Sequence, residues 1–73
     1  MTSQQPGEID AVTAVGHLVT QLGVAALVAL IADITEQQSD YFLLSGERQK
    51  ATQCMRHVRI LQKTVHVLRN LSQ

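Results

Sequence analysis

The sequence predicts an all-α chain, a two-helix antiparallel hairpin that dimerises into a four-helix bundle. Three observations carry this expectation. Apolar residues recur at alternating spacings of three and four over two long stretches. After Gly7 the chain has no proline and only three glycines, which favours long helices. A Ser45-Gly46 pair, good turn residues, falls between the two stretches.

Size explains why the hairpin is expected to self-associate. A chain of 73 residues is one domain with a small core. Cys54 is the only cysteine, so no disulfide can staple it, and a second copy is the remaining route to a larger core. Tyr41 and Phe42 are the only aromatic residues. The core must come from Val, Leu, Ile and Ala.

Residues 1–8 are polar, contain Pro6-Gly7 and read as a disordered lead-in to a single domain over 9–73. They carry no positive run of the kind that opens a signal peptide. Helix 1 is expected over about 9–42, with Glu8 and Asp10 at its N-terminus, where the helix dipole favours acids. Val12, Gly16, Val19, Gly23, Ala26 and Leu30 follow a heptad period along it. With Leu27 they form the expected oligomer interface. Gly16 and Gly23 share a face, and each costs a helix interior about 1 kcal/mol relative to Ala. That cost points to another backbone approaching closely there. A second line, Val15, Leu18, Leu22, Ala25, Ala29 and Ala32, runs beside the first. The helix ends either at Ser39-Asp40 or, as the turn chemistry favours, near Leu44.

Helix 2 is expected over about 47–71. Cys54, Val58, Leu61, Val65 and Leu68 form its apolar stripe, which Ile60, Val67 and Leu71 widen. Arg56, Arg59, Lys63, His66 and Arg69 line the opposite side and are the candidate partner-binding residues. All six acids of the chain precede all six bases, so the halves carry −6 and +6. An antiparallel hairpin would set Asp33, Glu36 and Asp40 near the Arg48 to Arg59 end, where the charges could pair.

Chemistry-bearing motifs are sparse. Cys54 and His57, three apart, supply half a metal site, whereas a structural zinc needs four ligands. The carboxylates of Asp33, Glu36 and Asp40 lack a Glu-x-x-His partner motif. No phosphate loop, Cys-x-x-Cys pair or nucleophile elbow occurs. The chain is therefore expected not to be an enzyme and to need no cofactor or metal. Zero net charge and no aromatic among the bases argue against nucleic acid.

The expected function is a cytoplasmic homo-oligomeric binding or adaptor module, whose partners are itself and an acidic protein met by the basic face. A nucleic-acid-binding helical dimer is one alternative. A small membrane protein with a basic amphipathic C-terminal helix is another. The 22 residues from Ala11 to Ala32 carry no formal charge, and their mean hydropathy is about +1.9. That length suffices for one span. His17 and Gln21 interrupt it.

Overall fold

The computed structural model describes the backbone over residues 6–71 and the side chains over residues 10–71. The described chain is all-helical, with three helices and no strand: α1 (Pro6–Leu22), α2 (Val24–Leu44) and α3 (Arg48–Leu71). Residues 1–5 of the expected lead-in lie outside the described residues. Pro6 to Glu8, also assigned to the lead-in, instead form the first turn of α1. Proline suits that position because the first helical N–H has no partner to lose.

The largest departure from the expected architecture is the break in helix 1. Gly23 adopts φ 84° and ψ 162°, a region open in practice only to glycine. Its N–H still donates to the Val19 carbonyl at 2.9 Å, and its own carbonyl accepts from the Leu27 N–H at 3.1 Å. One residue thus closes α1 and opens α2, and the two axes are bent by 118°. The bend carries the chain preceding Val24 away from α3, although α3, at 24 residues and about 36 Å, is slightly longer than α2 at 21 residues and about 32 Å. Among the described residues α1 packs on α2 alone.

α2 and α3 lie side by side and antiparallel. Ser39 meets Ala51 near the turn, while Ala29 and Asp33 share a groove with Gln62, Val65 and Arg69 towards the other end. The buried residues of α2 are Leu27, Ala32 and Ser39, and those of α3 are Ala51, Val58 and Val65. Ala32 and Ser39 are seven apart, as are Ala51, Val58 and Val65, so each set forms one line along its helix. Most of these side chains are small. The Ser39 hydroxyl, one bond beyond Cβ, donates to the Ala51 backbone carbonyl at 3.1 Å, which requires the two backbones to be close.

The turn is built from the residues the sequence singled out, and α2 runs through Ser39-Asp40 to Leu44. Gly46 takes φ 80°. Its N–H donates to the Leu43 carbonyl at 3.2 Å, and the Glu47 N–H donates to the Phe42 carbonyl at 2.8 Å. This pair of bonds is the Schellman arrangement, in which a positive-φ glycine lets otherwise orphaned carbonyls be satisfied. The Ser45 hydroxyl adds a bond to the Tyr41 carbonyl at 2.9 Å.

The chain is extended for its size. Its radius of gyration is 15.0 Å, against about 11 Å for a compact chain of this length. It exposes 6046 Å², roughly a third more than a compact protein of its mass would.

Candidate binding surfaces

Two surfaces stand out: the apolar elbow of α1 and α2, and the outward face of α3. On the elbow, Val12, Val15, Val19, Leu22, Val24, Leu30, Ile31 and Ile34 are all exposed. Apolar surface exposed on this scale is unusual for a soluble monomer. Six of the seven expected interface residues (Val12, Gly16, Val19, Gly23, Ala26 and Leu30) are on the surface. The seventh, Leu27, is buried within the chain in the first turn of α2, so it is not free to serve a partner. The bend at Gly23 also divides the expected straight seam into two segments on different axes.

Among the described residues no close approach occurs at the seam glycines within one chain. A Cβ placed on Gly16 or Gly23 would meet no atom within 4 Å. For Gly23 the need for glycine lies in its positive φ instead.

The outward face of α3 differs from the sequence reading in three ways. Ile60, Val67 and Leu71 do not widen the core; they are exposed, Ile60 by 62% and Val67 by 55%. Arg56, Ile60, Lys63 and Val67 follow spacings of four, three and four, so they form one line on the helix. It lies on the side opposite Val58 and Val65 and alternates a cation with a bulky apolar group. Arg59 and His66 stand beside it, and a shallow groove there is lined by Arg59, Gln62, Lys63, His66 and Val67.

Arg69 departs from the expected stripe. It lies 11 residues after Val58, about three helical turns, which returns it to the side that meets α2. There it lines a groove with Ala29, Ala32, Asp33 and Gln62.

The third difference concerns charge. The expected pairing of Asp33, Glu36 and Asp40 with the bases of α3 does not form. The one ion pair among the described residues is Lys50 Nζ to Glu47 Oε1 at 3.0 Å, a local i,i+3 contact. Small residues occupy the line between the helices, and the charged side chains stand out on exposed sides. Water solvates both signs there, and pairing gains little. Lys50 also lies 5.6 Å from the Phe42 ring centroid, within cation–π range. Arg56, Arg59 and Lys63 are exposed cations with no carboxylate within 4.0 Å among the described residues.

Among the described residues no group of three His, Cys, Asp or Glu is placed to hold a metal ion. Cys54 is half-buried, and His57 is exposed beside a shallow groove with Ile31, Thr35, Ile60 and Leu61. His66 shares a 3.2 Å contact with the Asn70 amide. No single helix among the described residues is long and apolar enough to cross a membrane, although α1 and α2 pass that test together as a bent pair. The grooves are open clefts on the surface of a thin molecule measuring 40 × 40 × 18 Å.

Sequence reasoning missed Ser39 as an anchor and treated it as a possible helix break. The signal was available: Ala25, Ala32 and Ser39 recur at a spacing of seven, a small-residue line suited to close helix contact.

No protein-family model, curated protein or solved structure matches the chain.

Proposed function

We propose that the chain is a homo-oligomeric helical assembly module that carries a basic face for an acidic partner. The observation behind this reading is the uncovered apolar elbow, from Val12 and Val19 on α1 to Leu30 and Ile34 on α2. Among the described residues the buried apolar core of one chain is five residues: Leu27, Ala32, Ala51, Val58 and Val65. A second copy packed on the elbow would cover the exposed valines and leucines and supply the core that one chain lacks. Two α2–α3 pairs brought together in this way would make a four-helix bundle, with the α1 segments crossing between them.

Sedimentation of the untagged protein, prepared without detergent, tests the reading. The expected result is discrete dimers or tetramers whose population falls on dilution. A monodisperse monomer at high concentration would remove the proposal. Recovery only with membranes, released by detergent and not by salt, would replace it with a lipid-embedded elbow.

A further inference from the structure

We infer that the acidic partner of α3 is an anionic lipid headgroup layer, docked along the outward line Arg56–Ile60–Lys63–Val67. The inference rests on the basic-face part of the proposed function and not on assembly. Three observations support it.

First, the cations are free to bind. Among the described residues Arg56, Arg59 and Lys63 have no carboxylate within 4.0 Å, and α1 does not fold over α3. Second, the line is not uniformly polar. Ile60, Val67 and, at the end of the helix, Leu71 are exposed among the bases, Leu71 by 78%. A merely solvated face gains nothing from bulky apolar groups there. A headgroup layer accommodates both kinds of side chain, because the apolar groups enter the acyl boundary while arginine and lysine remain with the phosphates. Third, the face is long and open. α3 is a helix of 24 residues whose outward side has only shallow grooves, so it can lie flat on a surface.

Nucleic acid is the weaker occupant. Single strands are held by aromatic stacking between bases, and the outward line has no aromatic residue. Phosphate tracking alone would leave Ile60 and Val67 unsatisfied.

The test is co-sedimentation of the full chain with vesicles of equimolar phosphatidylcholine and phosphatidylserine, beside pure phosphatidylcholine vesicles. Retention is expected on the anionic vesicles alone and should weaken with added salt. Arg56→Gln, Arg59→Gln and Lys63→Gln together should reduce it by about tenfold or more. Ile60→Ser with Val67→Ser should remove the part that survives salt. These side chains are exposed, and circular dichroism of each variant verifies that the helices are retained. Equal retention on both vesicles, or anionic retention indifferent to the triple change, would overturn the inference. Polyglutamate and a single-stranded oligonucleotide serve as parallel probes. Binding to either one without binding to vesicles overturns the lipid assignment and leaves the basic-face reading standing. No binding to any of the three overturns both.

Discussion

Ser39 is 1% exposed, with its hydroxyl on the Ala51 carbonyl, and its small side chain lets the two backbones lie near enough for that bond. Two substitutions separate these roles. Ser39→Ala keeps the volume and loses one neutral hydrogen bond, for a destabilisation of about 1 kcal/mol. Ser39→Leu forces the helices apart and should cost about 1–3 kcal/mol. Thermal unfolding followed by circular dichroism would distinguish them, at roughly 4–8 °C per kcal/mol for a domain this small. If Leu proves no worse than Ala, the helices do not depend on close approach at this point. Val58, 1% exposed, is the largest of the fully buried side chains among the described residues. Val58→Ala should destabilise by about 2 kcal/mol through lost contacts and a residual cavity. Both predictions concern packing within one chain and are independent of any partner.

At the scale of the element, the decisive feature is the elbow at Gly23. Alanine there would gain about 1 kcal/mol of helix propensity and would be strained at φ 84°. Both effects favour α1 and α2 joining as one straight helix. The Gly23→Ala chain is therefore expected to show higher helicity by circular dichroism and a longer particle by small-angle scattering. A scattering profile identical to the parent would show that the surroundings impose the bend whatever the residue. The straightened helix would also hold the uncharged stretch from Ala11 to Ala32 on one axis. That makes the variant a direct measure of how far the break keeps this stretch from acting as a membrane span.

At the scale of the whole molecule, an open shape and a thin core make stability and assembly one problem. Val19→Asp places a charge on the exposed face of α1, where it should change the stability of an isolated chain by about 0.5 kcal/mol or less. In an assembly that covers the elbow, the same charge is buried without a partner and should shift the population to monomers in sedimentation. An unchanged oligomer distribution would place the interface elsewhere. The parent's unfolding midpoint should likewise rise with protein concentration, because association stabilises only the folded chain. A midpoint constant over a wide concentration range would speak against obligate assembly.

The sequence by itself determined the helical class, because periodicity and the scarcity of proline and glycine are local properties. It also determined the Ser45-Gly46 turn, because only glycine takes the positive φ that a Schellman cap needs. It placed Arg56, Arg59, Lys63 and His66 away from the buried line of α3, and all four are exposed, since 3.6-residue periodicity carries along one helix. Which apolar line each helix buries was decided by tertiary structure. On α3 both Val58 and Ile60 belong to a broad apolar arc, and packing against α2 buries the first and leaves the second in water. The acids and bases fit an attractive pairing on paper, but small residues took the contact line and the charges remained hydrated. The elbow shows the same division most clearly. Gly16 and Gly23 both fit the helix period, and nothing local distinguishes them. The chain bends at Gly23, which takes a positive φ of 84° while Gly16 stays helical, and which of the two glycines takes that conformation is a property of the fold rather than of the local period.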